Sequence, residues 1–343
     1  MIRLTIQAAL GALAALLLGL SALAAEQRVP QSHATIQRAV DQAAAGDVIV
    51  IADGTYMENV TIENKSRLTI RARNEGRVTV QSRFASAVFE VKNSSEIVFD
   101  GLIISSGTEI AQDGSGQVPV GNGGVLVEDS NTITFDTGTL SNNLGPGLLL
   151  DNATDVTLVD CLIRANQQTN TFIRDGETVD DETTKGHGIE ATGRSSFTLD
   201  GVTVEGNQGS GIFLTNEAQG TVTEESRIRN NLGSGVKLED RATASLVDVT
   251  IETTRADSGE EGDPGDGVRA EMDSRVVLKD VTVQNNAGAG LYLNRGTALV
   301  SGSTVTGNAA NGFTVENQST LEVSDGTEVS DNSGFGLRVL NAT

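Results

Sequence analysis

From about Val88 onward the chain runs in short bursts of alternating apolar and polar residues, each opening on a glycine followed by an apolar-x-apolar triplet. Gly124-Val125-Leu126-Val127, Gly211-Ile212-Phe213-Leu214 and Gly290-Leu291-Tyr292-Leu293 are examples. Successive marker glycines, from Gly124 to Gly336, lie 23, 41, 23, 24, 32, 23, 22 and 24 residues apart. The period is therefore 22 to 24 residues, and the two long intervals hold insertions of about 18 and 9 residues that leave the later phase intact. Alternation with period 2, as at Val202 and Val204 or Val281 and Val283, is a strand signal. Such a period is too short for a helical pair, so each unit is one coil of short strands and turns. Coils stacked about 4.8 Å apart satisfy one another's backbone and bury a continuous apolar column. The pattern predicts an all-β fold, a parallel β-helix of about eleven coils from Val48 to Val339. Residues one and three after each marker (Val125, Val127, Ile212, Leu214, Leu291, Leu293) should point inward, and those two and four after it outward.

Four residues before most markers stands an asparagine: Asn143, Asn207, Asn231, Asn286, Asn308 and Asn332, with Asn166 keeping the register. Asparagine tolerates left-handed backbone and hydrogen-bonds locally, so a tight corner and a stacked ladder of amides are expected. Thr254 and Gly107 take the position in two coils, so the corner tolerates substitution. Ahead of the repeats, Ile36, Ala39, Val40 and Ala43 share one helical face, which predicts a helix over 34–45 plugging the open column end. Strand, turn and strand then follow from Gly46-Asp47 through Gly54-Thr55-Tyr56-Met57-Glu58 to Val60. In this order of helix, Gly-Asp and Gly-Thr-Tyr-x-Glu the chain resembles the pectin-lyase-like superfamily of right-handed parallel β-helices. The resemblance covers nearly all of 25–343 and implies a single right-handed parallel β-helix domain with a short N-terminal capping α-helix. It implies no one activity, because that superfamily spans lyases, hydrolases, epimerases, esterases and non-enzymes.

Residues 1–24 read as a signal peptide, with Arg3, an apolar run from Leu10 to Leu20, and Ala22-Leu23-Ala24 at the cleavage position. The run is too short for a comfortable membrane span and nothing comparable follows, so the expected location is periplasmic or extracellular. The single cysteine, Cys161, cannot close an internal disulfide, and its alignment with Val202 and Val281 makes it a small buried hydrophobe. A formal charge of −22 argues against nucleic acid, which needs a basic face. Aromatics at 3% without any Trp leave few platforms on which sugars stack.

Insertions at about 107–123, 167–187 and 255–266 all enter at the asparagine corner, so they should emerge as a row of loops walling the outward face of the marker strands. Two are acidic, with Asp175, Glu177, Asp180, Asp181 and Glu182 in one and Asp257, Glu260, Glu261, Asp263 and Asp266 in the other. Clustered carboxylates of this kind either hold Ca²⁺ through six to eight oxygens or are solvated loop. No EF-hand spacing is present and no metal-ligand set is assigned. The outward column Glu190, Phe213, Lys237, Arg269 and Tyr292 contains two adjacent cations and a phenol, which suit a uronate carboxylate. Equally, Lys237 and Arg269 are placed to pair with Glu239 and Glu271. Gly186-His187-Gly188, after Asp180-Asp181, resembles the Gly-His-Gly of polygalacturonases, although their Asn-Thr-Asp and Arg-Ile-Lys segments do not occur. Asp263-Pro264-Gly265-Asp266 similarly resembles the Asp-Pro-His-Asp of alginate epimerases, with Gly265 in place of the histidine. His187 and Glu190 are the candidate acid-base pair, and Phe213, Lys237, Arg269 and Tyr292 the candidate substrate-binding residues. Two functions stand: a polysaccharide-binding or polysaccharide-processing protein, or a non-catalytic surface, adhesive or scaffold protein. No complete catalytic motif decides between them. The last coil lacks a covering helix, so end-to-end self-association is expected.

Overall fold

The computed structural model describes residues 24–83, 86–105, 123–168, 172–174, 177–179, 185–257, 262–324 and 326–341. The leader up to residue 23, the insertion at 106–122 with Gly107, and Asp175, Asp180, Asp181, Glu182, Glu260 and Glu261 lie outside the described residues. The alternating segments form three long parallel sheets that run side by side along the molecule. One, here called the marker sheet, has 11 strands from Val60–Glu63 to Leu337–Leu340; a second has 12 from Glu26–Val29 to Thr320–Ser324; the third has 11 from Gly54–Met57 to Glu328–Ser330. Each coil contributes one strand to each sheet, and strand order in space follows order in the chain, which makes a right-handed parallel β-helix of about eleven coils.

Register in the marker sheet is unbroken: Val125, Leu148, Ile189, Ile212, Val236, Val268, Leu291, Phe313 and Leu337 succeed one another as paired residues. The insertions therefore loop out without shifting the pleat. Val125, Val127, Ile212, Leu214, Leu291 and Leu293 are all fully buried, and Phe213 and Tyr292 lie on the other face. Cys161 is buried as well, and burial pushes its thiol up to about 11, so it fills space without offering a thiolate.

The marker glycines are needed for room. A Cβ on Gly211 would lie 2.6 Å from Ile228 Cγ2 and 2.7 Å from the carbonyl oxygen of Gly235. Beneath them the amides do stack, each Oδ1 accepting from both the backbone N–H and the Nδ2 of the preceding asparagine. Asn207 donates in this way to Asn231 Oδ1 at 3.0 and 2.8 Å. The ladder runs from Asn143 through Asn166 and Asn207 to Asn231, then again from Asn286 through Asn308 to Asn332. One expectation is corrected: the left-handed residue at the corner is the one before the ladder asparagine, such as Asn142, Asn230 or Asn285, each at φ 56°. The ladder residue itself is spared that conformation and is held by its side-chain bonds.

The capping helix, α1, spans Ile36–Gln42 and buries Ile36, Ala39 and Val40, shorter at both ends than the 34–45 expected. Thr35 stops it at the front by accepting from Arg38 N–H, and extended backbone at Ala43 (φ −66°, ψ 133°) stops it behind. The Gly-Asp and Gly-Thr-Tyr-x-Glu signatures explain themselves here. The Glu58 carboxylate accepts from the free N–H groups of Ile36 and Gln37 at 3.0 and 3.1 Å, the Tyr56 hydroxyl donates to Ala52 O, and Asp47 accepts from Ala25 and Ala44 N–H. Both signatures fasten the cap. The strand Glu26–Val29, which the apolar pattern did not announce, pairs with Val48–Ile51 beside it. At the opposite end no such cover exists among the described residues: Leu337 and Val339 are in register with buried Phe313 and Val315, yet are 53% and 54% exposed. No helix among the described residues is long and apolar enough to cross a membrane.

Candidate functional site

The regular pleat sets Glu190, Phe213, Lys237, Arg269 and Tyr292 side by side on five adjacent marker strands, each paired with the next. The row anticipated from the spacing is therefore continuous. Arg269 lies 4.0 Å above the Tyr292 ring, and Lys237 Nζ is 5.6 Å from the Phe213 centroid. Both cations are also closed by carboxylates: Lys237 pairs with Glu239 at 2.8 Å, and Arg269 with Glu271 at 2.8 Å and Asp266 at 2.7 Å. Burial works against the Arg269 charge, but the bonds to Glu271 and Asp266 outweigh it and hold the guanidinium firmly protonated. Burial and a 3.0 Å bond donated to Glu316 push the Tyr292 hydroxyl up to about 12.

Glu190 differs from these neighbours. It is flanked on adjacent strands by Leu149 and Phe213, and loss of water pushes its carboxyl up to about 7. His187, expected beside it in the groove, is instead buried at the corner, with its ring tilted 30° against Phe213 at 4.9 Å. The backbone N–H of Ser210 donates to His187 Nδ1 at 2.9 Å, which leaves the ring proton on Nε2. Burial, reinforced by Lys237 and Lys185, lowers the imidazole to about 3. His187 is thus a neutral hydrogen-bonding group. Asp266 holds the equivalent position just before its own marker glycine and acts likewise, accepting from Ala289 N–H at 2.6 Å, and burial raises it to about 6 against the pull of Arg269.

Asp263 is a member of the site that the sequence pattern undervalued. Its Oδ1 accepts from Ser234 Oγ at 2.7 Å and from Gly265 N–H at 2.9 Å, whereas Oδ2 is buried with no hydrogen-bond partner among the described residues. Gly265 has φ 77°, and a Cβ there would meet the Arg255 carbonyl carbon at 2.8 Å, so a histidine does not fit this backbone. The likeness to the epimerase tetrapeptide is therefore confined to its aspartates and proline. Two of the insertions do meet, since Lys185 closing one lies 3.3 Å from Asp257 opening the other. Within the former, Phe172–Arg174 and Glu177–Val179 form an antiparallel hairpin. Among the described residues no group of three or more His, Cys, Asp or Glu is placed to hold a metal ion.

The sequence profile of the family described as "Right handed beta helix region" matches residues 47–196 and 187–343. Polygalacturonase from Erwinia carotovora ssp. carotovora has a similar structure, with a TM-score of 0.61 at 12% identity over 94% of this chain and 96% of that one. The mannuronan C-5 epimerase A-module of Azotobacter vinelandii scores 0.57 at 12% identity over 86% and 88%. The enzymatically active domain of bacteriophage CBA120 tailspike protein 2 scores 0.59 at 13% identity over 82% of this chain and 44% of that one. At such identities the likeness is one of fold. No curated protein sequence matches the chain.

Proposed function

The chain belongs to the right-handed β-helix family, and from that premise we propose that it binds a polysaccharide along the outward face of the marker sheet and processes it with Glu190 as the acid-base group. The observation that carries this is the placement of Glu190, whose carboxyl titrates near 7 at the head of a straight row of outward side chains. A carboxyl in that range both gives up and recovers a proton near neutral pH. The row spans four coil steps, about 19 Å, which suits a linear polymer better than a compact ligand. Phe213 and Tyr292 supply ring faces, and Lys237 and Arg269 supply polar edges. Polysaccharide chemistry is also what the names of the similar polygalacturonase and epimerase describe, which supports the class and leaves the reaction open. Action in the periplasm or outside the cell goes with the leader-like first 24 residues.

A second reading, a non-catalytic adhesive or scaffold protein, is favoured by one observation: Lys237 and Arg269 are already held by carboxylates of their own face. The two separate in one experiment. Purified protein is screened against a panel of oligosaccharides, following reducing ends and unsaturated uronate absorbance, with affinity measured in parallel. Glu190→Gln is expected to lower turnover roughly 100-fold or more and to lower affinity by far less, as for a proton-transfer group. Ligands that bind without any turnover of wild-type protein would replace the enzymatic reading by the adhesive one.

A further inference from the structure

We infer that the saccharide taken by this face carries positive charge, an amino-sugar polymer with free ammonium groups rather than a polyuronate. This rests on the reading of the marker sheet as a polysaccharide site. Lys92, Lys237 and Arg269, three of the cations on outward positions of the sheet, are each closed by carboxylates of that same face or its corner: Lys92 by Glu90 and Glu128, Lys237 by Glu239, Arg269 by Glu271 and Asp266. A uronate carboxylate entering there has to displace a bond already made, and it does so in the field of a chain with a formal charge of −22.

The carboxylates are in the opposite state. Asp151 and Glu190 stand on adjacent marker strands, diagonal to one another, since Asp151 pairs with Thr192 and Glu190 with Leu149. Neither has an ion-pair partner among the described residues. The charged neighbours that act on Asp151 are Glu128 and Asp129, both negative. Loss of water is what acts on Glu190. A ligand ammonium group beside this pair gains two carboxylates and breaks no existing pair, and a desolvated site strengthens that attraction. The stacked coils repeat at about 4.8 Å, so carboxylates on successive strands meet successive units of an extended chain.

The test is calorimetric titration of the full-length protein at low salt with three size-matched pentasaccharides, of glucosamine, N-acetylglucosamine and galacturonate. The glucosamine pentamer is expected to bind about tenfold or more tightly than either of the others. The double variant Asp151→Asn with Glu190→Gln, its fold checked by circular dichroism and thermal unfolding, is expected to lose that preference and keep the affinity for the N-acetylated pentamer. Galacturonate or N-acetylglucosamine pentamers binding as tightly as glucosamine overturn the charge assignment alone. A glucosamine preference that survives in the double variant also overturns it. If none of the three binds, the polysaccharide reading of the face falls, and the charge assignment with it.

Discussion

His187 shows how a residue that looks catalytic in sequence is claimed first by the fold. Its Nδ1 is the acceptor for the next coil's Ser210 N–H, and its ring is packed on Phe213 away from water. Because the folded pKa, about 3, is below the ordinary 6.5, its contribution to stability is complete above pH 6.5 and is lost as pH falls toward 3. His187→Gln, which stays neutral, is therefore expected to flatten the loss of stability between pH 6 and pH 4, measured by urea unfolding at each pH; an unchanged profile would show that the ring is not buried as described. Glu190 has the opposite sign. Its folded pKa, about 7, is raised above 4.5, so its contribution is complete below pH 4.5, is lost progressively as pH rises from 4.5 to 7, and the full cost stands above 7. Glu190→Gln should gain about 3 kcal/mol at pH 9 and nothing at pH 4. Space around His187 is equally restrictive: a Cβ on Gly209 would sit 2.8 Å from Nδ1. Gly209→Ala is expected to displace the imidazole, raise its pKa, and register as a changed histidine titration by NMR.

At the level of the coil, the asparagine ladder is what holds the corner beneath the marker strand. Asn231 Oδ1 satisfies both the backbone N–H and the side-chain Nδ2 of buried Asn207, and its own Nδ2 donates to Val204 O at 3.1 Å. Asn231→Ala leaves two buried donors and one acceptor without partners, for an expected cost of about 2–4 kcal/mol in urea unfolding. A cost below about 0.5 kcal/mol would mean that water enters the corner. This element was legible in advance because a fixed period puts the same residue in the same place. The inward and outward faces at Val125, Phe213 and Tyr292 were legible for the same reason, since a strand period of 2 leaves one choice per residue. What the period does not carry is the partner a side chain finds on the next coil. Hence the closure of Arg269 by Asp266 as well as Glu271, the burial of His187 and the bonding of Asp263 to Ser234 emerge only in three dimensions. The Gly-Thr-Tyr-x-Glu signature was visible as a mark of the first coil, whereas its work of capping α1 through Glu58 was not.

Across the whole molecule, the two ends of the stack are unequal. A solenoid is held by contacts between neighbouring coils, so a coil with one neighbour is the least secure. At the front, α1 and the strand Glu26–Val29 supply the missing neighbour. At the back, Leu337 and Val339 keep the inward phase of the column with nothing laid on them among the described residues, and Phe335 beside them is 68% exposed. Amides of Thr320–Ser324, Glu328–Ser330 and Leu337–Leu340 are accordingly expected to exchange fastest by hydrogen-deuterium exchange, and those of the coils around Asn231 slowest. An apolar, three-sided edge of unpaired parallel strands is matched in shape by another such edge, and the front of a second copy is shut by its cap. Pairing of two copies is therefore expected back to back, which would close on itself and give dimers, whereas a head-to-tail contact would give fibres. Raising protein concentration should slow exchange in this last coil selectively while light scattering reports mass approaching twice that of one chain. Val339→Glu places a charge in the middle of the contact and should abolish both effects without altering exchange around Asn231. A mass that stays at one chain, together with exchange in the last coil that ignores concentration, would show that the exposed column end is tolerated in water.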